Sequence, residues 1–144
     1  MAEHPHAIYA RRFYQLFNER RFEIATTMLN PRIHWLNVAS GQEYHGPDEV
    51  KSYWQSWVDV FSDAKVEIER LDADDQGMVV EFFGRGTHSG PLPTPSGPIA
   101  PTGKKIDMRF CEVIRMASDK IGSARLYFDM LTMLRQLGGE ANQM

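Results

Sequence analysis

The chain holds 144 residues, 42% hydrophobic and 24% charged, a balance that suits one globular domain over 1–144 and excludes a disordered or fibrous chain. A net charge of −3 and a sequence pI near 5.9 lack the basic excess that phosphate-backbone binding requires, so no nucleic-acid partner is expected. No apolar run approaches the roughly 20 residues that cross a bilayer, Met1-Ala-Glu-His-Pro-His lacks a secretory pattern, and Cys111 has no second cysteine to bridge, so a cytoplasmic protein without a membrane partner is expected.

From Pro5 to Arg20 the sequence predicts a helix, with Tyr9, Phe13, Leu16 and Phe17 on one stripe and Arg11, Gln15 and Glu19 opposite. Pro5 suits the first turn, where its missing N–H has no partner to lose. A short second helix over Phe22–Leu29 is expected to stop before Pro31, because the residue preceding proline resists the α region. Arg32–Val38 reads as a strand, with Ile33 and Trp35 alternating against His34, and Ser40-Gly41 marks a turn. Gly46-Pro47 opens a third helix, with Asp48 and Glu49 where the helix dipole favours anions. Its stripe of Val50, Tyr53, Trp54, Trp57, Val58 and Phe61 calls for a broad partner surface, which a curved sheet supplies.

Beyond that helix the period changes. Lys65–Leu71 alternates strictly, Asp72–Gly77 reads as a turn, and Met78–Ser89, Ile106–Met116 and Ile121–Met133 follow as further strands. Gly84 and Gly86 within a strand predict a bulge or a strong bend. Gly90–Lys105, with Pro91, Pro93, Pro95, Pro98 and Pro101, can extend neither ladder nor helix and must be a loop, either a solvated connector or a lid or dimer contact at a pocket mouth. Helices followed by long strands on short turns describe an α+β domain, an antiparallel sheet covered by helices on one face and bent around a cavity.

The chain has no Walker loop, GxGxxG, HExxH or GxSxG pattern, which removes nucleotide, zincin and serine-hydrolase readings. Cys111 in an apolar strand reads as a structural thiol, and His4 and His6 are expected to be disordered near the terminus. A metal would require His34, His45 or His88 to converge with carboxylates, and no local spacing argues for that, so no metal is expected. Asp129 stands among Leu126, Tyr127, Phe128 and Met130, where burial would raise its pKa into the range useful for proton transfer; the alternative is a structural carboxylate paired with Arg109 or Arg125. His34 and His88 sit in strands as core residues or as polar groups of a site. Arg109 faces away from Met108 and Phe110, and either holds an anionic oxygen in the pocket or solubilises the outer face. Trp54 and Trp57 are core residues that can also wall a pocket for a flat apolar ligand.

Gly46-Pro-Asp-Glu-Val, Phe61-Ser-Asp, Gly86-Thr-His-Ser-Gly, Pro101-Thr-Gly-Lys and Tyr127-Phe-Asp with Arg135-Gln-Leu-Gly, in that order, resemble the SnoaL-like polyketide cyclase (ester cyclase) family from about Tyr9 to Gly138. The resemblance implies a cone-shaped α+β barrel, a curved antiparallel sheet wrapped around N-terminal helices as in nuclear transport factor, ketosteroid isomerase and cystatin-like folds. It also implies a homodimer, a pocket for a small apolar molecule, and no metal or organic cofactor. The function it implies is cofactor-independent, aldol-type acid/base chemistry on a small apolar carbonyl compound. Alternatives are an isomerase or hydrolase on the same cone, or a non-catalytic small-molecule-binding module. By resemblance Asp129 is the acid/base, and His34 and His88 match the family's histidines and assist it; Arg109 and Tyr127 are expected as polar pocket contacts, and Trp54, Trp57, Phe13 and Trp35 as further substrate contacts. One departure stands out: Ser118-Asp-Lys-Ile is followed by Arg125 where the family commonly has a tryptophan, and that cation would lower the pKa of Asp129.

Overall fold

The computed structural model describes residues 2–139. Along the chain run α1 (Pro5–Asn18), α2 (Phe22–Thr26), β1 (Leu29–Asn37), β2 (Gln42–His45), α3 (Gly46–Val60), β3 (Lys65–Asp74), β4 (Gly77–Thr87), β5 (Lys105–Ala117), β6 (Lys120–Tyr127) and α4 (Met130–Gln136). The strands make one curved, open sheet in the order β2-β1-β6-β5-β4-β3. Every neighbouring pair is antiparallel except β1 with β6, which run parallel, so the expected all-antiparallel sheet is corrected at that seam.

The two long helices form for the reasons their sequences give. α1 buries Ala7, Ala10, Phe13, Tyr14 and Leu16. His4 and His6 are ordered, contrary to expectation. His4 caps α1, its Nδ1 accepting the His6 N–H at 3.0 Å, while its Nε2 meets Asp75 Oδ1 at 3.0 Å and the His6 ring donates to the Asp74 carbonyl at 2.7 Å. At the head of α3 the Glu49 carboxylate accepts the His45 N–H at 2.9 Å, satisfying a donor that the helix cannot. Val50, Tyr53, Trp54 and Phe61 are buried and Trp57 and Val58 half-buried, so the whole stripe faces the sheet.

Several boundaries moved. α2 ends at Thr26 and β1 begins at Leu29, taking in Pro31; the β1–β6 register shifts between Leu29 and His34, which spares the proline a ladder bond that it cannot make. β2, a four-residue edge strand, occupies a stretch with too little alternation to announce itself. The expected strand Ile121–Met133 divides: β6 stops at Tyr127 and α4 starts at Met130, with Asp129 between them as N-cap. Gly84 and Gly86 mark no bulge, because β4 and β5 stay in register from Gly77 to Thr87. They admit their neighbours instead. A side chain at Gly84 would run into the Phe110 ring, and one at Gly86 would come within 2.8 Å of Phe61 Cβ.

The proline-rich segment between Thr87 and Lys105 is a loop, as expected, and it is tied down. Leu92 and Ile99 pair across it, and Leu92 is buried. The Ser89 and Gly90 N–H groups both donate to the Val60 carbonyl at the end of α3, at 2.9 and 3.1 Å. A Cβ at Gly90 would occupy the space of the Asp59 carbonyl oxygen. Gly90→Ala is therefore expected to destabilise the fold by about 1–3 kcal/mol through overpacking, as urea denaturation would measure, with the helix content of the folded protein unchanged by circular dichroism.

Candidate functional site

α1, α3 and the covered face of the sheet line a half-open cavity of about 80 Å³, or about 650 Å³ when all free space between its walls and the open solvent at its mouth is counted. α1 contributes Phe13, Tyr14 and Phe17, β1 contributes Trp35, and α3 contributes Tyr53, Trp54 and Trp57. Phe82, Phe110 and Leu126 close it from the sheet. The rings meet mostly at an angle, Phe13 on Trp54 at 5.3 Å and Trp57 on Phe110 at 5.9 Å, while Phe82 and Phe110 stack at 5.3 Å. Lys65 and Arg85 stand at the mouth; both are exposed, and Arg85 is already paired with Glu67 and Asp107.

One carboxyl lines this cavity among the described residues, and it belongs to Glu112. The alternation of β5 puts it there: Met108, Phe110, Glu112 and Ile114 face inward, while Arg109, Cys111 and Val113 face outward. Its cross-strand neighbours are Val80 on β4 and Leu126 on β6, neither able to offset a charge. The contact that it does make comes from α1, where Tyr14 Oη donates to Glu112 Oε1 at 2.5 Å. Glu112 is 4% exposed, and burial pushes its pKa from 4.5 up to about 7 while the Tyr14 bond holds it back. Burial, and then the adjacent Glu112 charge, hold the Tyr14 phenol well above its usual range, so it remains a donor at neutral pH.

Among the described residues three buried side-chain atoms lack a hydrogen-bond partner, Trp35 Nε1, Tyr53 Oη and His88 Nε2; Trp35 and Tyr53 line the cavity and His88 does not. Burial keeps the Tyr53 phenol protonated, an effect larger than the opposing influence of the Trp57 and Asn37 side chains. Unpaired buried donors cost roughly 1–3 kcal/mol each, which a ligand oxygen would recover. A carboxyl raised to about 7, the phenol bonded to it and two unpartnered donors stand together inside an aromatic wall, a set of groups that can exchange a proton with a carbonyl compound.

Phe13, Trp35, Trp54 and Trp57 thus border the cavity, but the polar residues singled out from the sequence do not. Asp129 is exposed as the N-cap of α4, its Oδ1 accepting the Leu131 N–H at 2.9 Å and its Oδ2 the Thr132 hydroxyl at 3.0 Å. Those Thr132 bonds lower its pKa, the reverse of the expected rise, and the correction follows from the helix that replaces the predicted strand end. Arg125 is exposed on β6 and makes no ion pair with it. His34 lies on the outer face of β1, half-exposed, 2.9 Å from Glu43 Oε1. Arg109 is on the outer face of β5, paired with Glu69 at 3.1 Å and stacked over Phe83, and Tyr127 is 39% exposed. Cys111 is half-exposed on the same outer face, and burial and then the Glu81 charge push its thiol pKa up.

His88 is fully buried but outside the cavity lining. Its Nδ1 accepts the Thr102 N–H at 3.2 Å, and its backbone carbonyl takes the Gly103 N–H at 3.0 Å, so it fastens the proline-rich loop beside Phe61. Sequence reasoning missed Glu112. The available signal was a carboxylate in the inward phase of Met108, Phe110 and Ile114.

A curved, open sheet covered by helices in this way is the fold of ketosteroid isomerase-like and NTF2-like solved structures. The model of the SnoaL-like polyketide cyclase family matches residues 7–137, and the chain belongs to that family. No curated protein matches it. Among solved structures, IdmH, a proposed polyketide cyclase from Streptomyces antibioticus, is 22% identical with a TM-score of 0.76, over 94% of this chain and 99% of that one. A protein of ketosteroid isomerase-like fold from Catenulispora acidiphila, in complex with trimethylamine, is 14% identical with a TM-score of 0.78, over 99% of both chains. TsrD from Streptomyces laurentii is 16% identical with a TM-score of 0.78, over 95% and 98%. At these identities the likeness speaks for the fold.

The burial of Glu112 predicts a pH dependence of stability. Below pH 4.5 the carboxyl is protonated in the folded and unfolded chains alike; between there and about 7 the unfolded chain releases its proton first. Relative to Glu112→Gln, the wild-type protein should lose stability as the pH rises through that window, by roughly 3 kcal/mol at most, and then level off. Urea titrations of both proteins across this window test it, and parallel stability curves would remove the raised pKa.

Proposed function

We propose that this protein is a cofactor-independent acid/base enzyme of the polyketide cyclase type, acting on a small, flat, largely apolar carbonyl compound, with Glu112 as the acid/base. The observation that carries this reading is the carboxyl, raised to about 7 and bonded through one oxygen to Tyr14, within a wall of aromatic rings. The Glu112 carboxylate takes a proton from the carbon beside a substrate carbonyl, with Tyr14 offsetting its charge in the resting state. The electron pair moves onto the carbonyl oxygen, where Trp35 Nε1–H and Tyr53 Oη–H stabilise the enolate. The enolate carbon then attacks a second carbonyl of the same molecule, whose oxygen takes the proton back from Glu112 as the ring closes; in a conjugated substrate the dienolate instead takes that proton at its far carbon, which moves the double bond. The cavity holds the two ends in reactive proximity.

Asp129 has no part in this scheme, and His88 acts through the loop that it fastens. The lone, unbridged Cys111 accords with action in the cytoplasm, and a homodimer joined across the outer sheet face, where Val79 and Tyr127 are exposed, belongs to the same reading.

Proton abstraction can be followed with benzoylacetone in deuterium oxide, as exchange at the carbon between its carbonyls, read by NMR. Glu112→Gln should slow the protein-catalysed exchange by about a hundredfold or more. Trp35→Phe and Tyr53→Phe should slow it without moving its pH dependence. Tyr14→Phe removes the bond that lowers the Glu112 pKa, so the rising limb of the pH profile should move to higher pH. Unchanged exchange in Glu112→Gln would sink the catalytic reading. If benzoylacetone still quenched tryptophan fluorescence in that variant, the protein would be a binder of apolar molecules.

A further inference from the structure

The β1–β2 hairpin carries a second polar cluster, on the face turned away from the cavity. Antiparallel register sets His34 opposite His45, and Glu43, two residues before His45, shares its face. The imidazole rings lie 4.9 Å apart at 30°, His34 Nε2 is 2.9 Å from Glu43 Oε1, and one ligand atom from each of the three residues lies within 4.8 Å of the others. Around a tetrahedral ion with bonds of about 2.1 Å, ligand atoms stand about 3.4 Å apart. Rotation of these side chains, half-exposed for His34 and exposed for Glu43 and His45, closes the difference while the paired strands hold the three Cα positions fixed. Two imidazoles with one carboxylate favour a borderline metal over calcium or magnesium, which prefer oxygen alone.

We infer that His34, Glu43 and His45 form a binding site for a first-row divalent transition metal ion such as Zn²⁺, its remaining positions open to water. The ion would clamp the short edge strand β2 onto β1. The other face of this hairpin carries Trp35, which lines the cavity, and Tyr44, which stacks on the cavity residue Tyr53 at 4.4 Å, so the clamp would also stiffen that wall. This site is independent of Glu112 and takes no part in the proposed proton transfer.

Calorimetric titration of the full chain, without a histidine tag, with Zn²⁺ alone provides the test. Binding of one ion per chain at micromolar affinity is expected, together with a zinc-dependent rise in Tm. His34→Ala and His45→Ala should each weaken binding by at least about tenfold and abolish the rise in Tm, and Glu43→Gln should weaken binding less. A second closely spaced histidine pair, His4 and His6, has ring centroids 5.0 Å apart and lies beside Asp75, so the double variant His4→Ala/His6→Ala serves as control and should bind as the wild type does. No binding at millimolar zinc would overturn the proposal. So would binding that survives both His34→Ala and His45→Ala, or that disappears in the His4/His6 control.

Discussion

The hydrogen bond from Tyr14 to Glu112 joins the first helix to the fifth strand, across 98 positions of chain, and it is the contact on which the character of the interior depends. A carboxyl at that depth, between Val80 and Leu126, cannot be ionised cheaply, and among the described residues no cation is close enough to offset it. The phenol does so in part, with a donor that stays protonated across the physiological range. Burial drives the carboxyl toward neutrality and the phenol draws it back, leaving it titrating near 7, where a group can both take and return a proton. Without the tyrosine the same glutamate would be a neutral core residue; without the aromatic wall it would be an ordinary surface acid.

The rest of the architecture keeps that interior open. Gly84 leaves room for the edge of Phe110, and Gly90 lets the proline-rich loop approach the end of α3, where His88 and Thr102 fix it. Aromatic side chains from α1, α3 and β1 lean on one another at angles that brace them without filling the space between. The cost is visible in Trp35 Nε1 and Tyr53 Oη, buried donors without a hydrogen-bond partner among the described residues. Groups of this kind are tolerated where a ligand completes them.

Much of this was legible in the order of residues. The stripe from Val50 to Phe61 defined α3 and its buried face, strict alternation marked β3, and the stretches between the turns that followed marked β4 and β5, because periodicity records which face meets the core. The motifs between Tyr9 and Gly138 supplied the family. The errors clustered where local pattern and tertiary setting part company. Asp129, flanked by apolar residues, looked like a buried strand acid, yet the Asp-x-x-Thr spacing up to Thr132 is equally that of a helix cap, and the cap prevailed. Arg109 was correctly phased opposite Met108 and Phe110, but which of the two faces met the cavity had to come from the packing of helices on the sheet.

Composition, periodicity and turn chemistry thus determined by themselves that an α+β fold would form, with an aromatic helix laid against a curved sheet, because those properties are carried by neighbours in the chain. Tertiary structure alone decided which acid is buried, that Tyr14 reaches it, and that His34, Glu43 and His45 gather on one hairpin face. The reason is physical: a pKa, an unpaired donor or a ligand set arises from groups far apart in sequence, and only the packing of strands and helices sets the distances between them and the water they lose.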